Sequence, residues 1–359
     1  MLGDSDADFL MRALQLAEKG EGHTRPNPPV GAVIVKDGKI IGEGWHKRAG
    51  GDHAEVAAIK DALRHLKRSS TQTLKNCTIY VTLEPCSKPG RVGACTDAII
   101  AAGIKKVVYL VPDPNPKNRG KAKRALAKHG IECVRVCRPA CDPKVWDSCG
   151  GMRSLLKWGT RMIAPFAKHV ATGLPFVTVK LAMSLDGKIC DNWGDAKWIS
   201  SARSRRSVGW ERARVDAIMV GAETVRKDNP SLLAHNKCHD DLIRVVVTRS
   251  GKLPENAQIF TDGAPNETRV FRVGRAISGS KVPTDAKDLK DVLRRLGKAG
   301  VMHVLCEGGL QLARSLADAG LVDEWITVLA PKVIGSRRIR KAVSIPKAFV
   351  MPDNGVALR

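Results

Sequence analysis

The sequence is poor in aromatic residues, short of acidic residues and free of long apolar segments. Aromatic residues make up 4% of the 359 residues, and 36 Asp and Glu are outnumbered by 60 Lys and Arg. No apolar run approaches the ~18 residues of a membrane-spanning helix. Asp4, Asp6 and Asp8 lie where a secretory signal peptide would carry basic residues before an apolar core. We therefore expect a globular cytoplasmic protein without a membrane partner.

The formal net charge of +24 favours a different kind of protein, since nucleic-acid-binding proteins are often basic. The densest basic stretch, residues 117–128, contains six cations and no acid. The other basic residues are dispersed, however, and the sequence contains no known nucleic-acid-binding module. Nucleic-acid binding is therefore the less favoured alternative. A salt-titrated assay with random single strands tests it, because phosphate contacts weaken steeply with salt.

The ten cysteines include no C-x-x-C pair, a spacing typical of structural zinc sites. Their use in such a chain favours reduced thiols over a disulfide scaffold. Four of them, Cys133, Cys137, Cys141 and Cys149, lie close together in the sequence near the expected domain junction. Free thiols are the favoured interpretation of this group, and a second metal site is the alternative.

The chain is long enough for two domains that each bury a core. We expect a first domain over residues 1–140, a linker with several Gly and Pro over 141–174, and a second domain over 175–359. Predicted strands alternate with predicted helices in both domains, which indicates α/β folds. No G-x-G-x-x-G sequence follows a predicted strand, which argues against a Rossmann cofactor site.

Apolar periodicity predicts the individual elements. In the first domain it predicts helices over 9–19, 54–66, 96–102 and 121–128, and strands over 30–35, 39–45, 78–83, 106–111 and 132–135. In the second it predicts strands over 177–182, 217–220, 243–248, 269–272, 303–307 and 324–329, and helices over 202–214, 289–299 and 310–319. The first sheet should lie between helices and be parallel over its later part.

The most informative residues are His53-Ala54-Glu55 and the pair Cys86 and Cys95, which eight residues separate. One imidazole and two thiolates hold zinc in catalytic sites that leave the fourth position open, and zinc lowers the pKa of a water molecule there. Glu55 is not a ligand in this arrangement, and we predict that it carries protons as the catalytic residue. A His-x-Glu sequence followed by Pro-Cys and a second Cys is the pattern of zinc nucleobase deaminases. The predicted zinc ligands are thus His53, Cys86 and Cys95.

The spacing of the two thiols narrows the family, since most deaminases of this type have C-x-x-C. Further sequence matches occur in the order of one family: Thr24 to Gly31, Gly42 to His46, Asp113 to Pro116, Lys180 to Gly187, Trp198 to Ser201, Ala222 to Pro230 and Glu307 to Gly309. The chain resembles the bifunctional deaminase/reductase of riboflavin biosynthesis over nearly its whole length.

This resemblance implies both the folds and the reactions. The first domain should be a cytidine-deaminase-like three-layer α/β/α domain, and the second a dihydrofolate-reductase-like α/β domain. The implied first reaction is the zinc-dependent hydrolytic deamination of 2,5-diamino-6-ribosylamino-4(3H)-pyrimidinone 5′-phosphate. The second is the NADPH-dependent reduction of its ribosyl group to ribityl. We expect one Zn²⁺ per chain, NADPH, a phosphorylated pyrimidine substrate and a homo-oligomer.

The resemblance also assigns binding residues. In the first domain the implied substrate-binding residues are Asn27, His46, Lys88 and Arg91. In the second domain the implied cofactor-binding residues are Ala182, Trp198, Thr224, Asp228 and Gly309, where a helix start suits the cofactor phosphates. The implied substrate-binding residues there are Lys180, Arg212, Leu232, His235 and Glu307.

The chain departs from the family pattern at several of these positions. Lys88 replaces a His, although with Arg91 it keeps cationic groups that can meet a phosphate. In the second domain, Ala196 replaces a Ser and His235 replaces an Arg, and the chain ends at Arg359 before the usual closing strands. The alternative to the bifunctional enzyme is therefore a deaminase with a degenerate, non-catalytic reductase-like domain.

Overall fold

The computed structural model divides the chain into two units, residues 1–173 and 174–359. The residues that it describes are 4–65, 74–88, 93–136, 150–190, 199–234, 241–274, 285–334 and 343–344. Each unit has a sheet and apolar cores of its own. Among these described residues, the structure contains no helix with the length and apolar character needed to cross a membrane.

Runs of Val, Ile and other apolar residues form the sheet of the first unit. Its strands are β1 (Gly31–Lys36), β2 (Lys39–Trp45), β3 (Thr78–Leu83), β4 (Lys106–Val111) and β5 (Glu132–Arg135). They lie in the order β2-β1-β3-β4-β5. β1 is antiparallel to β2 and β3, whereas β3, β4 and β5 are parallel, as the sequence predicted. The ends of β3 and β4 therefore meet at one edge of the sheet.

Helices cover both faces of this sheet. They are α1 (Asp4–Glu18), α2 (Ala54–His65), α3 (Cys95–Ala102), α4 (Lys121–Ala127), α5 (Gly150–Met162) and α6 (Ala164–Thr172). Since side chains alternate along a strand, Val107 and Val108 of β4 belong to different cores. One core includes residues of α2 and α3, and the other includes residues of α1 and α5. The unit is a three-layer α/β/α domain.

Two glycines set the distance between α2 and the sheet. A Cβ on Gly44 would lie 2.3 Å from the backbone N of Ala58, and a Cβ on Gly42 would lie 2.6 Å from the Ala58 O. Any side chain at these positions of β2 would push the helix away. The glycines thereby fix the depth at which His53 and Glu55 enter the unit.

Residues 150–172, which the sequence analysis assigned to a linker, form α5 and α6 of the first unit. Apolar residues recur at helical spacing at Met152, Leu155, Leu156, Met162 and Ile163. They pack in the core that contains residues of β4, and a Cβ on Gly159 of α5 would lie 2.7 Å from a methyl carbon of Leu110. The Gly and Pro residues of this segment led to the prediction of a linker, although its apolar residues have the spacing of an amphipathic helix.

The second unit contains a parallel sheet. Its strands are β6 (Phe176–Ser184), β7 (Ala217–Gly221), β8 (Ile243–Thr248), β9 (Thr268–Val273), β10 (Asp285–Ala286), β11 (His303–Cys306) and β12 (Glu324–Ala330). They lie in the order β10-β9-β8-β7-β11-β6-β12, and every neighbouring pair is parallel. The short strands β13 (Lys332–Val333) and β14 (Val343–Ser344) form a separate antiparallel pair.

Helices pack on both faces of this sheet as well. They are α7 (Ala202–Ala213), α8 (Ala222–Asp228), α9 (Gln258–Thr261), α10 (Leu289–Lys298) and α11 (Leu310–Asp318). Residues of α10 and α11 share one core, and residues of α8 and α9 share another. Because all strands of the large sheet are parallel, the chain leaves β7, β8 and β11 at the same edge, where ligands of α/β proteins generally bind.

Candidate functional site

Three potential metal ligands of the first unit converge at the edge of its sheet. His53 directly precedes α2, Cys86 follows β3 and Cys95 is the first residue of α3. His53 Nδ1 lies 3.1 Å from Cys95 Sγ and 3.6 Å from Cys86 Sγ. The three ligand atoms all lie within 4.8 Å of one another, and no second cluster of this kind occurs in the described ranges. The structure thus brings together the ligands that the sequence predicted.

The surroundings of Cys86 favour its thiolate. The backbone N–H of Cys95 donates to Cys86 Sγ at 3.3 Å. Hydrogen bonds to the Cys95 side chain and to His53 lower the pKa of the Cys86 thiol, although its partial burial opposes this shift. Metals bind cysteine in the deprotonated form. The site is therefore prepared to hold a cation.

Glu55 lies in the first turn of α2, beside the ligand group. Its side chain is 3% exposed. Burial, with a smaller contribution from the negative charge of Cys86, raises the pKa of Glu55 to about 7. A carboxyl group with a pKa near neutrality can both accept and donate a proton, which general acid–base catalysis requires.

His46 and Asn27 form a hydrogen-bonded pair on the same side of the unit. His46 Nδ1 lies 2.9 Å from the carbonyl oxygen of Asp52, and His46 Nε2 lies 3.0 Å from Asn27 Nδ2. Burial lowers the pKa of His46. A neutral imidazole that donates from Nδ1 must accept at Nε2, so Asn27 donates to it through its amide nitrogen. The bond to His46 thereby fixes the orientation of the Asn27 amide group, including its Oδ1.

Glu84 is a buried acid that the sequence analysis did not assign. Its carboxylate accepts hydrogen bonds from the backbone N–H of Asp113 at 3.2 Å and of Ala122 at 3.3 Å. It therefore ties the end of β3 to the loop that follows β4 and to the first turn of α4. Burial raises the pKa of Asp113, which lies in that loop. The available signal was the position of Glu84, an acidic residue at the end of an apolar strand and two residues before Cys86.

A cavity of about 240 Å³ lies between these groups. Its lining includes Asn27, His46, His53, Glu55, Glu84, Cys86, Asp113, Asn115, Asn118 and Phe166. Phe166 belongs to α6, a segment that the sequence predicts as part of the linker, so Phe166 is not among the predicted site residues. No pattern around Phe166 distinguishes it from a core residue of an amphipathic helix.

Of the two cations expected near the substrate phosphate, Lys88 and Arg91, only Lys88 lies in the described residues. Lys88 is exposed and does not border the cavity. Arg91 lies outside the described residues. Of the proposed second cysteine group, Cys133 is buried in β5, and Cys137, Cys141 and Cys149 lie outside the described residues.

In the second unit, Arg212 and Glu307 form a bidentate ion pair. Arg212 Nε and Nη2 donate to the two carboxylate oxygens of Glu307 at 2.7 and 2.9 Å. A third guanidinium nitrogen donates to the carbonyl oxygen of Leu233 at 3.1 Å. Lys180 of β6 is close enough for both charges to act on it, and burial lowers the pKa of its ammonium group. Three predicted substrate-binding residues, Lys180, Arg212 and Glu307, are thereby brought together.

Thr224 and Gly309 border a separate cavity of about 860 Å³ at the edge where β7, β8 and β11 end. The backbone N–H of Gly309 donates to Thr224 Oγ1 at 3.2 Å. The next two N–H groups, of Leu310 and Gln311, have no hydrogen-bond acceptor among the described residues and border the same cavity. Gly308 allows this arrangement, because a Cβ there would lie 2.9 Å from the N atom of Gly221.

The remaining predicted residues of the second unit lie elsewhere or outside the described ranges. Ala182 lies on β6 and Asp228 is exposed at the end of α8, and neither borders the large cavity. Leu232 is 2% exposed and packs in an apolar core, beside the Leu233 that accepts from Arg212. Trp198 and His235 lie outside the described residues, as does Ala196.

Two family models match the chain, one in each unit. Residues 4–111 match the cytidine and deoxycytidylate deaminase zinc-binding region. Residues 175–351 match the RibD C-terminal domain. The first match contains all three ligands and Glu55, and the second contains every cofactor- and substrate-binding position predicted for the second domain. Both predicted fold classes are thus supported.

Curated relatives match along nearly the whole chain. The riboflavin biosynthesis protein RibD of Escherichia coli is 35% identical over 352 residues, which cover 92% of this chain and 89% of the relative. RibD of Bacillus amyloliquefaciens is 37% identical over 339 residues, which cover 91% of this chain and 85% of the relative.

Solved structures agree with these matches. The diaminohydroxyphosphoribosylaminopyrimidine deaminase/5-amino-6-(5-phosphoribosylamino)uracil reductase of Thermotoga maritima is 35% identical, with a TM-score of 0.77, and the alignment covers 92% of this chain and 88% of that one. RibD of Acinetobacter baumannii is 34% identical, with a TM-score of 0.75 and the same coverage.

Proposed function

The chain belongs to the RibD family, the bifunctional deaminases and reductases of riboflavin biosynthesis, and we propose that each of its two units carries one of these activities. Residues 1–173 carry the zinc-dependent deamination, and residues 174–359 carry the NADPH-dependent reduction. This division gives α5 and α6 to the deaminase. The observation that carries the proposal is the convergence of His53, Cys86 and Cys95 beside Glu55.

The three ligands fit a zinc ion. Around a tetrahedral zinc ion with bonds of ~2.0–2.3 Å, neighbouring ligand atoms lie roughly 3.3–3.8 Å apart. The distances from His53 Nδ1 to the two sulfur atoms, 3.1 and 3.6 Å, are close to these values. When bound, zinc supplies a water molecule that ionises near neutral pH in the fourth position.

Glu55 moves the protons of the deamination. The reaction exchanges the 2-amino group of the pyrimidine for oxygen from water and releases ammonia. The Glu55 carboxylate accepts one proton from the water and gives it to a ring nitrogen. It then accepts the second proton from the hydroxyl group on the attacked ring carbon and gives it to the departing amine, which leaves as ammonia. Its burial and its raised pKa suit a group that must accept and release a proton twice in each cycle.

Asn27 and His46 orient the substrate ring. Because His46 holds the Asn27 amide nitrogen, the Asn27 Oδ1 accepts from a ring N–H or amino group of 2,5-diamino-6-ribosylamino-4(3H)-pyrimidinone 5′-phosphate. Lys88 and Arg91 meet the 5′-phosphate, as their charge and their place in the loop between the two thiols suggest. The exposure of Lys88 leaves its ammonium group accessible to a phosphate that lies at the mouth of the cavity.

The residues of the larger cavity fit NADPH. Its volume of about 860 Å³ is in the range of small-molecule sites. The N–H groups of Leu310 and Gln311 at the start of α11 suit the pyrophosphate, since helix N-termini bind anions. Thr224 and Gly309 line this cofactor site. Ala182, Trp198 and Asp228 are assigned to the cofactor by the family resemblance alone, since Ala182 and Asp228 do not border the cavity. When bound, NADPH supplies the hydride that converts the ribosyl group to ribityl.

Lys180, Arg212 and Glu307 hold the sugar side of the substrate, together with Leu232 and His235. The Arg212–Glu307 pair fixes two of these side chains. The Nζ of Lys180 has no hydrogen-bond or ion-pair partner among the described residues, so it is available to an oxygen of the substrate. The family match over residues 175–351 does not favour the alternative of a degenerate reductase.

Metal analysis of ligand variants tests the zinc site. Cys86→Ser and Cys95→Ser should each lose both zinc and ammonia release, because two ligands hold zinc poorly. Cys77→Ser removes a buried thiol of the same unit that is not a ligand, and this variant should keep both zinc and ammonia release. Stoichiometric zinc in either ligand variant would refute the assignment.

NADPH consumption by the purified chain, supplied with the deaminated intermediate, tests the second activity. Oxidation of NADPH supports the bifunctional enzyme, and none under these conditions means that the reductase is degenerate. A cytoplasmic location and a homo-oligomeric state remain predictions, and size-exclusion chromatography with light scattering tests the latter.

A further inference from the structure

The large cavity of the second unit is lined by more cations than anions. Five cationic residues and two acidic residues border it: Arg226, Lys227, Arg249, Lys287, Lys290, Glu223 and Asp288. Glu223 is shared by two of the cations, since Arg226 donates to its carboxylate at 3.0 Å and Lys227 lies 3.6 Å away. The Asp288 side chain accepts from the N–H of Asp291 at the start of α10.

The other three cations have no such partner. Arg249, Lys287 and Lys290 make no hydrogen bond or ion pair through their side chains with any described residue, and all three are exposed. A cavity with unpaired cations attracts an anion. NADPH brings two anionic groups, the pyrophosphate and the 2′-phosphate of its adenosine. NADH lacks the second of these.

Sheet order indicates which cation meets the 2′-phosphate. One ribose ring separates that phosphate from the pyrophosphate, which we place at the start of α11, directly after β11. Neighbouring strands lie ~4.8 Å apart. β8 is the second strand from β11, so Arg249 at its end lies roughly 10 Å across the sheet edge. Lys287 and Lys290 follow β10, the fourth strand, at roughly twice that distance.

The backbone around Arg249 is held in place. The N–H of Gly251 donates to Thr248 Oγ1 at 3.1 Å, and the N–H of Lys252 donates to Ser250 Oγ at 3.2 Å. Arg226 donates to the carbonyl oxygen of Lys252 at 2.8 Å. The turn therefore presents Arg249 to the cavity from a fixed backbone, directly after the buried Thr248.

We propose that Arg249 binds the 2′-phosphate of NADPH and makes the reductase selective for NADPH over NADH. The assignment rests on the cofactor placement proposed above. A 2′-phosphate carries a charge of about −1.5 to −2, like other phosphate monoesters, and the planar guanidinium group can bind two of its oxygens at once.

Dinucleotide binding to the full chain, without the pyrimidine substrate, tests this role. The dissociation constants of NADPH and NADH are measured from nicotinamide fluorescence, and those of 2′,5′-ADP and 5′-AMP by calorimetry. Arg249→Gln should weaken NADPH and 2′,5′-ADP about 10- to 100-fold, the range of a charged hydrogen-bonded contact. It should leave NADH and 5′-AMP unchanged. Arg249→Lys should retain part of the preference, because it keeps the charge but not the fork.

Lys290→Gln is the matched control, since it removes another unpaired cation from the same cavity. It should leave the preference for NADPH intact. An equal loss of NADPH and NADH affinity in Arg249→Gln, no loss in either, or an equally large NADPH-specific loss in Lys290→Gln would overturn the proposal. If the unmodified chain binds neither dinucleotide, the cofactor placement itself is wrong, and the assignment of Arg249 fails with it.

Discussion

At the scale of single residues, Glu55 is the residue whose chemistry and position can be separated most cleanly by substitution. Glu55→Gln keeps the size of the side chain and leaves all three metal ligands in place. It should retain zinc and lose ammonia release by about 10²- to 10⁴-fold, the usual contribution of general acid–base catalysis. Zinc is measured by metal analysis and ammonia by a coupled assay.

Glu132→Gln provides the comparison at this scale. Glu132 lies on β5, its side chain is 61% exposed, and its ion pair with Lys106 is a surface one. This variant should keep both zinc and turnover. Near-normal ammonia release in Glu55→Gln would mean that another group carries the proton, and Glu84 and Asp113 are the other acids that line the cavity.

At the scale of elements, α6 contributes a residue to the deaminase cavity that its sequence did not predict. Phe166 is half-buried and borders the deaminase cavity, and the substrate is a flat heteroaromatic ring. Our hypothesis is that Phe166 stacks on this ring. Phe166→Ala should then raise the KM for deamination by about 5- to 150-fold, since stacking on a base contributes ~1–3 kcal/mol. The zinc content should not change.

Phe260→Ala is the control for this hypothesis, because Phe260 is an exposed aromatic residue of the second unit. It should leave the KM for deamination unchanged. Phe166→Tyr keeps an aromatic face and should restore most of the affinity. A fall in kcat alone, with an unchanged KM, would instead indicate that Phe166 supports the packing of α6.

The sequence best predicted the bounds of elements that have strong apolar periodicity and clear turn or capping residues at their ends. α2 and β3 follow their predicted bounds within one residue, and the hairpin of β1 and β2 turns at Asp37-Gly38 with positive φ at both residues. α1 begins at Asp4, five residues earlier than predicted. Its first turns carry acidic residues, which stabilise a helix N-terminus without contributing to the apolar pattern.

Features that depend on tertiary contacts could not be predicted in this way. The metal ligands follow from residue type and spacing, because few other roles require a His and two Cys in that order. The placement of Phe166 depends on how α5 packs against β4. The partner of Arg212 depends on strand order, which brings Arg212 and Glu307 together although they lie far apart in the sequence. The sequence pattern alone does not predict these tertiary contacts.

We expect a buried ion pair between two elements of the second unit to contribute strongly to stability. Arg244 of β8 donates to Asp262, which follows α9, at 2.6 Å, and the two side chains are 3% and 9% exposed. Asp262→Ala would leave the Arg244 charge buried without its partner. The free energy of unfolding should fall by about 3–5 kcal/mol, measured by urea denaturation.

Asp318→Ala removes a comparable partner at the surface. Arg314 and Asp318 lie 3.4 Å apart with side chains 80% and 69% exposed. The loss should be within about 0.5 kcal/mol, because exposed pairs contribute little. Equal losses in the two variants would contradict the importance of burial for the Arg244–Asp262 pair.

At the scale of the whole molecule, the two activities should be separable. The metal ligands and Glu55 lie within residues 1–173, and every residue assigned to the reductase lies within residues 174–359. Glu55→Gln should therefore leave NADPH oxidation intact when the deaminated intermediate is supplied. Asp228→Ala should impair reduction while ammonia release continues at its normal rate. The two assays are run on the same preparations, with zinc content and dinucleotide binding measured alongside.

Zinc content and binding decide what a lost activity means. If Glu55→Gln binds NADPH normally and still fails to oxidise it with the intermediate present, the two active sites are not independent and the division at residue 173 is wrong. If Asp228→Ala loses ammonia release while it keeps zinc, the second unit contributes to deamination. Independence has a chemical basis, because deamination leaves the ribosyl group untouched and reduction leaves the ring untouched. Each unit then needs to recognise the part of the substrate that it changes and the phosphate that both reactions retain.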